Sequence, residues 1–414
     1  MRFYHYLIIG GGIAGVTAAE TIREEDPDAT IGIISQEPYP LYSRVLLPAY
    51  LKGKIAREQL FLRTSDDFLA RRIDLHLHEE VASIDTKHSS VMLANGISFE
   101  YEKLLIATGG RLQAWGQPED QGMVYRLQTI SDAERLFHAL PQITNPLVIG
   151  ASFISLEFLD IFAAHRLAPH MLVRDTHLFG RYVEEQGAAL LEKNCERHGV
   201  TIHTGDTMRA IDPAKHPPEV ATAKGAVIVA DAIAVGVGLD LNIDFLNGSG
   251  ITTGSRGILV NEFLETNQPG ISAAGDVTEF FDVITQTHRV VGNWTNAFLQ
   301  GKRVGLNMTG RREAFRNVSS YSITNLGSQI TALGECRQNG KAEGIEEIIR
   351  FDFYRNRYER LVLKDDILIG AVLINQFSDK PHLTHLIASR TQLSAYRERL
   401  SDSSFEIRTI AVVS

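Results

Sequence analysis

The chain has 414 residues, too many for one ordinary hydrophobic core, so two or three domains are expected. Apolar residues make up 44% and charged residues 22%, the balance of a globular protein, and the net charge of -9 argues against non-specific nucleic-acid binding. Two cysteines, Cys195 and Cys336, exclude a disulfide scaffold, a four-cysteine iron–sulfur site and a CxxC redox pair. No stretch is both long enough and free enough of charge to span a bilayer; the most apolar, Leu147 to Ala164, holds Glu157 and Asp160. No basic region precedes a cleavable apolar segment at the N-terminus, so a cytoplasmic location is expected.

The chain opens on the apolar run Leu7, Ile8, Ile9, followed by Gly10, Gly11, Gly12 and Gly15 and then a helical stretch to Glu24. This reads as strand, tight turn and helix with dinucleotide-fingerprint spacing. Gly10 makes the turn, Gly12 lets the backbone approach a pyrophosphate, and Gly15 lets helix and strand pack closely. The pyrophosphate would sit on unpaired N–H groups at the helix N-terminus. The second strand, Ala29 to Ser35, is followed by Glu37, which is placed to meet a ribose hydroxyl. Arg44, in a proline- and tyrosine-rich loop, has the fork geometry for a phosphate or a flavin edge. The stretch Val81 to Ile84 would place backbone groups near an adenine.

A hairpin at residues 90–101 leads to the apolar strand Lys103 to Ala107, closed by Thr108, Gly109 and Gly110. A strand ending in small residues suits a crevice where backbone passes close to a ligand. A change of unit is expected near Trp115 to Glu119. The opening pattern then returns: strand Pro146 to Gly150, helix Phe153 to His165, with Gly150, Ser152 and Ser155 at the three fingerprint positions. Ser152 adds a hydroxyl that could donate to a pyrophosphate. Arg174, after the strand Met171 to Val173, favours a 2′-phosphate, whereas Asp175 favours a free ribose. Further elements are a helix Val183 to His198 and the apolar strand Ala232 to Gly238. The buried strand Gly270 to Gly275 ends in Asp276, which is suited to hydroxyl groups of a ribityl chain or to a helix N-cap. A helix Val290 to Asn307 contains Trp294. After Gly310 short strands dominate, with a helix at His385 to Arg399, giving a third, α+β domain.

In their order, GGGIAG at 10–15, Glu37, LLIATGG at 104–110, the second fingerprint at 150–157, AVGVG at 234–238 and AAGD at 273–276 resemble the FAD-dependent pyridine nucleotide-disulfide oxidoreductases. Tyr42-Ser43-Arg44 and residues 292–301 point to the rubredoxin reductase, nitrite reductase flavoprotein and ferredoxin reductase branch. The resemblance implies an α/β fold of two Rossmann-like domains, with an NAD(P)-type domain (119–239) inserted in a split FAD domain (1–118 and 240–312), and a C-terminal α+β domain (313–414). It implies FAD held near Gly10, Gly12, Gly15, Glu37, Arg44, Val81, Ala107, Thr108, Gly109, Gly275 and Asp276. It implies NAD(P)H near Gly150, Ser152, Glu157, Arg174 and Gly236. Arg44 and Trp294 would lie at the flavin and Glu157 at the nicotinamide. The expected activity passes electrons from NAD(P)H through FAD to a small redox protein such as rubredoxin or ferredoxin. The alternatives are a flavoprotein subunit of a larger electron-transfer complex and an NAD(P)H oxidase. For the C-terminal domain the resemblance implies a part in acceptor docking or in a homodimer. Residues 38–50 hold no cysteine, so a thiol relay at that place is chemically unavailable.

Overall fold

Leu7, Ile8 and Ile9 are buried on both faces, which is what a central strand of a parallel sheet requires. In the computed structural model, which describes residues 2–113, 122–212, 214–215, 217–236, 238–336 and 344–412, they end strand β1 (Arg2–Ile9). With β2 (Ile31–Ser35), β3 (Ile73–Leu77), β4 (Val81–Asp85), β5 (Ser90–Leu93) and β6 (Ser98–Ile106) they form a sheet ordered β3-β2-β1-β6-β5-β4. The strand Ile271–Ala273 joins it parallel to β6. Because β1 pairs in parallel with β2 on one side and β6 on the other, the order reverses at β1, and a crevice opens outside the carboxyl ends there. The register sets Ile9 against Ile34 and Ile106, and Ile106 against Ala273. Gly10, Ala107 and the Gly275-Asp276 turn therefore leave the sheet at one level.

The helices are α1 (Ile13–Glu25), α2 (Leu47–Leu51), α3 (Ser65–Ala70), α4 (Ile130–Ala139), α5 (Phe153–Ala164), α6 (Glu185–Arg197), α7 (Trp294–Met308) and α8 (Lys380–Ser389). The described chain divides into two compact units. The first is Met1–Val45, Ala56–Arg111 and Leu239–Asn317; the second is Leu46–Ile55, Leu112–Gly238 and Val318–Ser414. The expected change of unit at Trp115 to Glu119 lies outside the described residues.

In the first unit α7 crosses α1 at backbone distance. A Cβ on Gly301 would lie 2.3 Å from the carbonyl oxygen of Ala14, so only hydrogen fits. The second unit repeats the parallel arrangement. Its sheet runs Thr201–Thr204, His170–Val173, Pro146–Ile149, Ala232–Val235, Val124–Tyr125, again reversing at the strand that precedes the fingerprint. The same unit holds a five-stranded antiparallel sheet built from Ser320–Asn325, Ser328–Gly334, Ile367–Ile374, Arg357–Lys364 and Ile345–Asp352, in that spatial order. Asn325 Nδ2 donates to the Leu156 carbonyl at 2.5 Å, and Asn194 Nδ2 to the Leu326 carbonyl at 2.8 Å, tying this sheet to α5 and α6.

Two sequence expectations are corrected, and one element has no counterpart in the sequence reading. The helix expected at His385 to Arg399 is α8, which starts five residues earlier with Pro381 in its first turn and ends where Arg390 turns left-handed (φ 52°); a separate 3-10 turn covers Ser394–Arg399. The helix expected from Val290 begins at Trp294, because the Asn293 side chain accepts from Asn296 N at 2.8 Å and caps it. The hairpin Thr278–Asp282 with Thr287–Arg289, closed internally by the buried Arg289–Asp282 ion pair at 3.0 Å, was not expected.

Candidate functional site

In the first unit the fingerprint turn is set by backbone contact. Gly10 has φ 119°, and a Cβ there would stand 2.2 Å from the Ala107 carbonyl oxygen. A Cβ on Gly15 would meet the Gly10 carbonyl oxygen at 2.0 Å. Gly12, by contrast, has no neighbour within 4 Å of a would-be Cβ, so its side faces open space. Gly12 is also the N-cap of α1 and offers no side-chain cap, and the first turn of α1 carries no acidic residue. Its leading N–H groups are free of any side-chain carboxylate and keep their preference for an anion.

Asp276 stands beside this helix end, since a Cβ on Gly275 would lie 3.2 Å from Ala14 Cβ. Gln300 Oε1 of α7 accepts from Gly275 N at 2.7 Å and fixes the turn. Asp276 Oδ1 is buried with no hydrogen-bond partner among the described residues. Burial pushes its carboxyl up to about 6, opposed by the Arg44 guanidinium. It caps no helix, because Asn293 fills that role at α7. An isolated buried carboxyl oxygen is costly unless a donor arrives.

Glu37 and Arg44, expected to act separately, are an ion pair. Glu37 Oε2 also accepts from the Tyr42 hydroxyl at 2.5 Å, and the Arg44 guanidinium lies 5.5 Å from the Tyr42 ring centre. Ala107 N donates to the Ile9 carbonyl at 2.7 Å, the Thr108 hydroxyl to the Asn242 carbonyl at 2.9 Å, and Gly109 has φ 63°. Val81 starts β4 and packs half-buried on the core, as does Trp294 at the start of α7. Ser43, where a redox thiol would be expected, is buried. The structure thus gathers Gly10, Gly12, Ala107, Gly275 and Asp276 at the carboxyl ends of the first sheet. Gln300, which orients the Asp276 turn, belongs to the run 292–301 that carries the family resemblance, but its role at this turn has no signal in the sequence.

In the second unit Gly150 has φ 103° and crowds Gly236, whose carbonyl oxygen would be 2.8 Å from a Gly150 Cβ. The two serines that replace glycines bond to each other. Ser152 Oγ accepts from Ser155 N at 3.2 Å and caps α5, and the Ser155 hydroxyl donates to the Gly236 carbonyl at 3.4 Å. The expected role of the Ser152 hydroxyl as a donor to pyrophosphate therefore competes with its work as the helix cap. Glu157, one turn along α5, is half-buried. Desolvation pushes its carboxyl up to about 7, with Lys52 opposing and Asp160 adding. Lys52 itself bonds Asp160 at 2.5 Å. Arg174 is exposed and 3.8 Å from Asp175. Sequence reasoning missed Lys52, which lies in a short segment far from α5 in the chain.

Cys195 and Cys336 are both buried thiols; burial, with Glu192 and Glu196, pushes the Cys195 thiol up to about 12. Among the described residues no helix is long and apolar enough to cross a membrane, and no cluster of three metal-ligating side chains occurs.

The family model for pyridine nucleotide-disulphide oxidoreductase matches residues 4–301, and that for the rubredoxin NAD+ reductase C-terminal domain matches residues 322–391. The NADH-dependent phenylglyoxylate dehydrogenase subunit epsilon of Aromatoleum evansii is 26% identical, covering 95% of this chain and 94% of its own. The assimilatory nitrate reductase electron transfer subunit of Bacillus subtilis is 24% identical over 97% of this chain, which spans about half (51%) of that longer protein. A solved ferredoxin reductase from Rhodopseudomonas palustris superposes with a TM-score of 0.87 at 25% identity, covering 98% of this chain and 99% of its own. The chain belongs to the pyridine nucleotide-disulphide oxidoreductase family.

Proposed function

We propose that this protein is an FAD-dependent NAD(P)H oxidoreductase that hands electrons to a small redox protein without a thiol relay. The observation that carries the reading is the buried Oδ1 of Asp276, lacking a protein donor, beside the uncapped N-terminus of α1. The first unit fits FAD on those grounds. The α1 N–H groups would take the pyrophosphate, with Gly12 leaving room for it. Asp276 would accept from ribityl hydroxyls. Glu37 has lone pairs left for a ribose hydroxyl and holds Arg44 in place. Ala107, Thr108 and Gly109 would bring backbone to the ring system, Val81 backbone to the adenine, and Trp294 would cover the flavin. FAD, when bound, supplies hydride acceptance and one-electron release.

The second unit would take NAD(P)H at Gly150, Ser152, Arg174 and Gly236. Hydride transfer needs no acid or base from the protein, so its side chains position and desolvate, Glu157 among them. The ferredoxin reductase of R. palustris supports a small redox protein as acceptor. Two buried thiols in a chain of this length support a cytoplasmic setting. A second reading, a flavoprotein subunit of a larger complex, is favoured by the serine pair at the second fingerprint and by the A. evansii and B. subtilis subunits. Loading with FAD followed by gel filtration tests the first unit. Wild-type protein should retain the flavin and Asp276→Leu should lose it; equal retention removes Asp276 from the site.

A further inference from the structure

Besides its bonds to α5 and α6, the five-stranded C-terminal sheet reaches one loop of the nucleotide fold of the second unit. Residues 176–184 follow the strand His170–Val173, whose carboxyl end is where such folds meet the adenosine ribose. Tyr358, on the strand Arg357–Lys364, is fully buried, and its hydroxyl donates to Glu184. Glu184 in turn caps α6, its Oε1 accepting from Gly187 N at 3.4 Å. The Tyr358 ring lies where a side chain at 187 would be: a Cβ on Gly187 would come within 2.8 Å of it. Arg360, on the same strand and also fully buried, donates Nη1 to the Tyr182 carbonyl at 2.9 Å and to the Cys336 carbonyl at 2.7 Å, while Nε bonds Glu347 at 3.0 Å.

The loop so held is strained. Phe179 has φ 60°, a left-handed conformation that is unfavourable for a non-glycine residue. Its ring stacks on Tyr182 at 4.5 Å and meets the edge of Phe153 at 4.8 Å. Phe153 is the first residue of α5, next to the Ser152 cap. Strain of this kind persists only where the surroundings over-determine it. Here they include Tyr358 and Arg360.

We infer that Tyr358, acting through Glu184, is a positioning residue that holds loop 176–184 in the shape that grips the adenosine half of NAD(P)H. The C-terminal sheet then sets nucleotide affinity as well as covering apolar surface. The inference rests on the reading that the second unit binds NAD(P)H. Burial and the Glu184 carboxylate push the Tyr358 phenol far above its usual range, so it stays a donor at any physiological pH.

The test is Tyr358→Phe, which keeps the ring against Gly187 and removes the hydroxyl. Binding of NADH and NADPH is measured by nucleotide fluorescence, and amide hydrogen exchange is measured on nucleotide-free protein. The expected result is a Kd raised about tenfold, about 1.4 kcal/mol. Exchange should quicken at 176–184 and stay unaltered in the C-terminal strands, and the rate of flavin reduction at saturating nucleotide should remain within about twofold. Glu184→Gln, whose amide oxygen can still accept from Gly187 N while its amide NH2 donates to the Tyr358 oxygen, should bind near the wild-type level, whereas Glu184→Ala should match Tyr358→Phe. An unchanged Kd in Tyr358→Phe overturns this inference alone, as does faster exchange spread over the whole C-terminal sheet. Wild-type protein that binds neither nucleotide overturns the functional reading and the inference with it.

Discussion

The Ser155 hydroxyl donates to the carbonyl of Gly236 at 3.4 Å, joining the first turn of α5 to the end of the neighbouring strand in the place where a dinucleotide fold usually has only glycine. The hydroxyl fits because residue 236 has no side chain; a Cβ there would lie 2.4 Å from Ser155 Oγ and 2.9 Å from Ser152 Oγ. Gly236→Ala should therefore destabilise the protein by about 2 kcal/mol. Ser152→Ala should cost about 1 kcal/mol through the lost cap. Adding Ser155→Gly to Gly236→Ala should recover part of the loss, so that the pair falls short of additivity in urea unfolding.

Asp276 gives the flavin-free protein a pH signature. Its folded carboxyl, at about 6, lies above the ordinary 3.8, so the neutral acid is favoured on folding. Its contribution is complete below the unfolded value and is lost as pH rises through about 6. Flavin-free wild type should lose on the order of 2–3 kcal/mol relative to Asp276→Asn between those limits. Parallel stability–pH curves for the two proteins would count against an unpartnered Asp276.

Glu157, pushed up to about 7, changes charge within the working range. It is neutral below that pH and anionic above it. Affinity for the anionic nucleotide should fall as pH rises through about 7, and Glu157→Gln should flatten the profile while holding the low-pH affinity. An identical inflection in the variant would place the titrating group elsewhere.

The buried thiols predict an absence of disulfide chemistry. Cys195→Ala and Cys336→Ala should each leave NAD(P)H-driven acceptor reduction within about twofold, and native protein should react with a thiol reagent far more slowly than unfolded protein. Loss of turnover in either variant would reopen a thiol relay.

The sequence made the two nucleotide folds legible because each announces itself locally, as an apolar strand, a glycine turn and a helix. Gly10 and Gly12 are legible that way; Asp276 is legible as the end of a buried strand, and the fold brings it beside α1 from more than 250 residues downstream. What stayed hidden depends on long-range packing. The Glu37–Arg44 ion pair, the Lys52–Asp160 bond and the Tyr358–Glu184 contact each need a fold to bring them together. The start of α8 is not legible because Pro381 marks a first turn only once the preceding loop is known.

The most direct measurement is anaerobic titration of the FAD-loaded protein with NADH and, separately, NADPH, followed by the flavin absorbance band. Stoichiometric bleaching by at least one of them is expected, followed by reoxidation by a ferredoxin or rubredoxin. A band that stays oxidised with both nucleotides, in protein that has retained its FAD, would contradict it.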